Sequence, residues 1–229
     1  MSIILAIETS TETASAALLV GARIESRSTE GVFTHSAAIL PMVQALLAQA
    51  GIVLDQCDAI AVGIGPGSFT GVRTACGVVQ GLAFGADLPV LPVVTLEAMA
   101  QACYEHDGAH DVLAVLDARM GEVYWAQYKY APQGWQTVIA PCLSTPGLVA
   151  PQGAVTACGG ALAAYAQAFD ALPTFARHAG IMPSAQQVAR LGALALARGE
   201  TVRAELVQPL YLRNKIAYTT AERLAKLSA

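Results

Sequence analysis

Two α/β domains facing each other across a cleft, each a mixed sheet flanked by helices, is the fold the sequence predicts. Three observations predict it. The order strand, strand, strand, helix, strand, helix, strand, helix is complete within roughly the first 105 residues, the pattern of a sheet covered by helices. The opening triplet of strands recurs beyond the polar stretch "EHDGAHD" at 105–111, the best linker in the chain. Each triplet is led by a short apolar strand ending in a carboxylate, Glu8 in "IILAIE" and Asp117 in "VLAVLDA", which points to an internal duplication. The domains are expected at 1–107 and 108–229.

Residues 3–8 read as a buried strand, and "ASAALLV" at 14–20 and "ARIESRST" at 22–29 as two more joined tightly through Gly21. From Thr34 the apolar period becomes helical. Ile39, Val43, Leu46, Leu47 and Ala50 share one side, and Leu40 and Met42 widen that arc beyond what one sheet needs. Pro41 removes an interior amide and is expected to bend this helix or mark a fresh start near Ala38. "DAIAVGI" at 58–64 is the next strand; a helix over 68–84, the strand "PVLPVV" and a helix from Thr95, a candidate cap, to about Glu105 follow. In the second half, strands are expected at 112–118, 122–130 and 134–140 and within "AVTACG", with helices over 160–169 and 184–199.

Apolar residues make up 55% of the 229-residue chain and charged residues 13%, too apolar for disorder and sparsely charged for a surface exposed on all sides. Some of the missing charge is consistent with a face that another chain covers. The net charge of −4 argues against a dedicated nucleic-acid clamp. It is unevenly placed: residues 1–170 carry −9 and residues 171–229 carry +5, a basic tail that is either a solvated surface or a contact for RNA or an acidic partner. Five cysteines without a CxxC pair, in apolar surroundings, suggest a reducing compartment. With no leader-like or membrane-length segment, the cytoplasm is the expected location.

"AVGIGPGSFTGVRTACGVVQGLAFG" at 61–85 leads from a strand end into a helix, where α/β folds bind anions. Gly63, Gly65 and Gly67 permit tight turns or close approach, and Ser68 or Thr70 can cap the helix. Yet the dinucleotide fingerprint is only loosely approximated, and no lysine precedes Lys129, so a Walker loop is excluded. Gly77, Gly81 and Gly85 then recur every fourth residue inside the helix, where glycine costs about 1 kcal/mol relative to alanine. Either this stripe presses on its own domain, or it is a seam for another subunit.

Glu8 and Asp117 are the carboxylates that could share a cleft and hold a metal-bound phosphate; loop capping is the plainer reading of both. His106 and His110 fall in the linker, and His35 near a helix start reads as a surface or capping residue. Ser68 lacks the nucleophile-elbow pattern. Arg119 can pair with Asp117 or Glu122, and "QPLYLRNKIAY" near the end either anchors the tail to the first domain or touches a ligand.

"ILAIETSTETASAALL", "HSAAILPMVQALL", "GIGPGSFTGVRTACGVVQGLAFG", "DARMGEVYWAQY" and "YLRN" together resemble the bacterial TsaB family, formerly grouped as glycoprotease-like, over nearly the whole chain. The resemblance implies the duplicated actin/Hsp70/sugar-kinase (ribonuclease H-like) fold. It also implies a role in forming N6-threonylcarbamoyladenosine at adenosine 37 of tRNAs, as the non-catalytic partner of the transferase TsaD. The ATPase TsaE, tRNA within the complex, and a second copy of the chain are the further partners implied. TsaD carries two metal-binding histidines at i and i+4; Thr95 and Met99 occupy those places here and do not replace two imidazoles. No metal and no tightly bound cofactor are expected, with weak ATP or ADP binding at an interface left open.

Partner contacts are expected at Ile39, Met42, Val43 and Leu46 of the first helix and at Arg73, Cys76, Gly77, Gln80 and Gly81 of the second. Glu8, Thr9, Gly65, Gly67, Ser68, Asp117 and Arg119 are candidates for weak nucleotide or cleft contacts. The competing reading is a nucleotide hydrolase or glycopeptidase with its own site near Glu8 and Asp117. A sugar-kinase-like phosphotransferase is disfavoured by the missing phosphate-binding pieces.

Overall fold

The computed structural model describes residues 2–29 and 35–213. Asn214 of "YLRN" and the part of the basic tail beyond Arg213 lie outside that range.

Among the described residues, ten strands form two five-stranded sheets. In the first, β1 (Ile3–Glu8) is central: β2 (Ala14–Val20) and β3 (Arg23–Thr29) follow antiparallel on one side, β4 (Ala59–Gly63) and β5 (Val90–Val93) parallel on the other. In the second, β6 (Asp111–Arg119) is central, with β7 (Glu122–Ala131) and β8 (Gly134–Ser144) antiparallel and β9 (Val155–Cys158) and β10 (Thr174–His178) parallel. The strand order and directions of one sheet repeat in the other, so the duplication read from the two triplets extends to all five strands. The edge strand β10 escaped the sequence reading, because "TFARH" is short and its phenylalanine faces solvent, leaving no buried apolar alternation to mark it.

The helices stack in layers around the sheets. On the outer face of sheet one, α1 (His35–Ala50) and α2 (Phe69–Ala86) cover Leu5, Ile7, Leu18 and Ile60. Its inner face, with Ile4, Ala6 and Ala61, is covered by α6 (Ala185–Ala197) through Val188, Ala189 and Leu191. Gly192 allows this close approach, since a Cβ there would lie 2.7 Å from that of Ala61. Sheet two is covered on its inner face by α3 (Thr95–Asp107) through Leu96, Met99, Ala100 and Cys103, and on the other by the short helices α4 (Ala161–Ala164) and α5 (Ala166–Phe169). The division expected after residue 107 is therefore crossed twice: α3 precedes it but packs on sheet two, and α6 follows it but packs on sheet one.

Pro41 neither bends α1 into two pieces nor starts it afresh; the helix runs continuously from His35 to Ala50. Proline denies a hydrogen bond to the carbonyl four residues earlier, and Ala37 is exposed, so water can replace it. Thr95 is the first helical residue, not the cap, which is Val94. All five cysteines are free thiols. Among the described residues, no helix is long and apolar enough to cross a membrane.

Candidate functional site

The glycine run serves two different surfaces. At its start, β4 ends at Gly63 and the chain turns into α2, whose cap Ser68 accepts a hydrogen bond from the Gly71 amide at 3.3 Å. The turn after β1 lies directly across this loop. The Ser68 amide donates to the Ser10 carbonyl and the Thr9 hydroxyl to the Gly71 carbonyl, each at 2.7 Å. A Cβ on Gly67 would overlap the Ser10 carbonyl, one on Gly71 the Thr9 carbonyl, and one on Gly63 the Glu8 carboxylate. These glycines admit the chain's own backbone and one buried acid. An amide at the helix start that a phosphate would need is already occupied by Ser10.

Glu8 is wholly buried beneath this junction. Its carboxylate accepts from the Ser10 amide at 2.6 Å and from the Thr95 hydroxyl at 3.2 Å, and Thr95 in turn accepts from the Gly65 amide at 3.1 Å. Burial pushes the Glu8 carboxyl above its ordinary range, against the opposing effect of those hydrogen bonds. The two positions that resemblance matched to metal-binding histidines are thus closed: Thr95 is bonded to Glu8 and Gly65, and Met99 is fully buried against sheet two.

Between the lobes lies a cavity of about 920 Å³, walled by Ser10, Thr11, Gly67 and Ser68 on one side and by Asp117 and Arg119 on the other. Arg119 bridges it to Glu12 at 2.6 Å and also meets Asp117 at 3.3 Å. Asp117 further accepts the Tyr165 hydroxyl at 2.9 Å and the Arg119 amide at 2.8 Å. Asp117 therefore lines the cavity while Glu8 does not, and the expected pairing of the two in one open cleft fails because the β1–β2 turn seals Glu8 in. The hydroxyls of Ser10 and Thr11, at a wall that sequence reading passed over, have no protein partner among the described residues.

The second surface is the outside of α2. Gly77, Gly81 and Gly85 are exposed, and a Cβ on any of them would meet nothing within 4 Å. The stripe presses on none of the described residues of its own domain. Phe84 stands beside it 81% exposed; its spacing of three from Gly81 and seven from Gly77 was the available signal for it. The other expected partner residues turn inward. Ile39, Met42, Val43, Leu46 and Cys76 belong to the core over sheet one, because β2 and β4 offer enough apolar surface to receive them, while Leu40 of α1 stays exposed. Gln80 donates to the Val207 carbonyl at 2.9 Å. Arg73 is exposed but engaged, lying 3.8 Å over the Phe69 ring and donating to the Tyr211 hydroxyl.

Tyr211 belongs to the segment 201–213, which runs beside α2 and anchors to the first sheet through Val202–Val90 pairing and the Leu210 amide on the Ile64 carbonyl. Its last described residue, Arg213, crosses to the other lobe, donating to Glu122 at 2.6 Å and to the Ala118 carbonyl at 3.0 Å.

Two sheets of identical strand order, exchanged helices between them and a cavity at their junction define the duplicated α/β class of actin, Hsp70 and sugar kinases. The model of the family described as "TsaD: tRNA N6-adenosine threonylcarbamoyltransferase" matches residues 29–221. The tRNA threonylcarbamoyladenosine biosynthesis protein TsaB of Escherichia coli K12 is 38% identical over 94% of this chain and 96% of its own. That of Haemophilus influenzae is 38% identical over 94% and 95%. The solved structure of YeaZ from Pseudomonas aeruginosa superposes with a TM-score of 0.86 at 42% identity, covering 93% of this chain and all of that one. The chain belongs to the TsaB family, paralogous to the transferase whose family model it matches.

Proposed function

We propose that this chain is the non-catalytic partner in threonylcarbamoyladenosine formation on tRNA, docking onto the transferase TsaD through the outer face of α2. The observation that carries this reading is the open glycine stripe. Three helix glycines that no described part of the chain touches leave bare backbone beside an exposed phenylalanine, a surface that another helix can approach closely. A second copy of the chain can use the same face, so homodimer and heterodimer compete for it. TsaE and tRNA join only the assembled complex. Non-catalysis is supported locally: Glu8 is sealed, Asp117 is tied to Arg119 and Tyr165, and Thr95 and Met99 offer no metal donors.

The weak ATP or ADP site fits the cavity between the lobes, walled by Ser10, Thr11, Gly67 and Ser68 on one side and by Asp117 and Arg119 on the other. Affinity is low in the isolated chain because the Arg119 guanidinium is already paired. The test is tRNA modification reconstituted from the remaining components, with and without this chain. Modification should depend on it, and on an intact α2 face. Full modification in its absence would overturn the reading.

A further inference from the structure

At the far end of α3, away from the cavity, four chemically suited side chains converge from three elements. Cys103 and Asp107 stand at i and i+4 on the last turns of α3, hence on one face. Cys158 ends β9 and His178 ends β10, and the parallel pairing sets these two residues side by side in register. The Cys103 sulfur, an Asp107 carboxylate oxygen and a His178 ring nitrogen all lie within 4.8 Å of one another. His178 Nε2 is 2.6 Å from Asp107 Oδ2, while Asp107 Oδ1 is fixed by the Ala109 amide at 3.0 Å. Cys103 and Cys158 are both fully buried, the Cys158 thiol donating to the Met99 carbonyl at 3.8 Å, whereas the Asp107 and His178 side chains keep 30% and 23% of their exposure. The group is closed on the sulfur side and open to solvent on the other.

We propose that Cys103, Asp107 and His178 bind one zinc-type divalent cation, with water at the fourth position. A thiolate, an imidazole and a carboxylate form the mixed donor set that a borderline cation such as zinc accepts, and hard ions such as magnesium do not. Zinc bonds of roughly 2.0–2.3 Å put tetrahedral donors about 3.3–3.7 Å apart. The 2.6 Å Asp107–His178 contact opens by less than about 1 Å to reach that range, and the sulfur already lies within 4.8 Å of both partners. On binding, Cys103 releases its proton to solvent, and the thiolate and the Asp107 carboxylate balance the two positive charges. Cys158 stays outside the ligand set, its thiol donating to the Met99 carbonyl at 3.8 Å. Sequence spacing hid the set, because His106 and His110 drew attention to the linker while the ligands sit up to 75 residues apart along the chain. The ion would clamp the end of α3 to the edge strand β10, a structural role independent of the tRNA-modification reading.

The test uses the full chain without an affinity tag, stripped with chelator and titrated with cobalt(II). One equivalent should bind, with a thiolate-to-cobalt charge-transfer band that zinc(II) abolishes, and zinc should raise the melting temperature. Cys103→Ala should remove the band, and His178→Asn should weaken binding at least about tenfold and cancel the zinc-induced rise. Cys57→Ala, on the other sheet, should change neither. His178 is partly exposed, so its variant decides the matter even if Cys103→Ala misfolds. No charge-transfer band, or a band and thermal shift that survive His178→Asn, would overturn the proposal.

Discussion

Thr9 donates its hydroxyl to the Gly71 carbonyl at 2.7 Å, and the Thr9 carbonyl oxygen occupies the place a Gly71 Cβ would take. The β1–β2 turn and the first turn of α2 are therefore fitted backbone to backbone, with Gly67 making the same allowance for Ser10. Backbone cannot step aside as a side-chain tip can. Gly71→Ala and Gly67→Ala should each destabilise the chain by about 1–3 kcal/mol, the usual cost of overpacking. Chemical denaturation of the two variants checks this, and wild-type midpoints would show that the turn yields freely.

Gly77 and Gly81 lie in the same helix and should respond with the opposite sign. A methyl group at either enters open space, and an exposed helix glycine replaced by alanine gains about 0.5–1 kcal/mol. Gly77→Ala and Gly81→Ala should raise the melting temperature of the isolated chain.

Pairing should be more demanding than folding at those positions. Gly81→Leu should leave the isolated chain folded, since nothing of its own is displaced, yet abolish association with the transferase and reduce self-association. Phe84→Ala should weaken both, because a phenylalanine 81% exposed contributes little to its own fold and much to a covered interface. Sedimentation or size-exclusion analysis of the mixtures gives the readout; a normally associating Gly81→Leu variant would place the seam elsewhere.

Local elements were legible where period and punctuation agreed. The strand "IILAIE", the helix opened by Ser68 and the alanine-rich helix after Ser184 all occur near their expected bounds. What the chain order concealed was the exchange of α3 and α6 between the sheets, since hydrophobic period says that a helix has a buried face but not which sheet receives it. The same limit explains the partner residues. Leu40 and Met42 widen the arc beyond what one sheet needs, yet Met42 joins Ile39, Val43 and Leu46 in the core over sheet one and Leu40 alone of the two stays exposed. The glycine stripe was readable as a stripe, and only its orientation needed the fold.

Arg213 ties the last described segment to the second lobe. Its side chain is only 17% exposed and donates to the Glu122 carboxylate and to the Ala118 carbonyl. Charge-assisted hydrogen bonds of this kind contribute about 1.5–3 kcal/mol each when one partner is removed. Arg213→Ala should lower stability by about that amount and speed amide exchange in the segment 207–213. Arg213→Lys should recover only part, because both bonds come from Nη2 and the shorter lysine side chain does not carry its ammonium as far.

Glu8 supplies a pH dependence whose sign follows from its burial. Desolvation raises its carboxyl pKa in the folded chain above the value it has when unfolded. As pH rises past the ordinary carboxylate range, the unfolded chain has already released this proton while the folded chain still holds it. The folded state then binds more protons, so stability falls with rising pH until the raised value is passed and levels off beyond it. Glu8→Gln keeps an acceptor for the Ser10 amide but carries no titrating proton. The stability difference between wild type and this variant, measured across pH, should shift in favour of the variant through that window. Groups common to both proteins cancel in the difference, so a flat curve would mean that Glu8 titrates at the same pH whether the chain is folded or not.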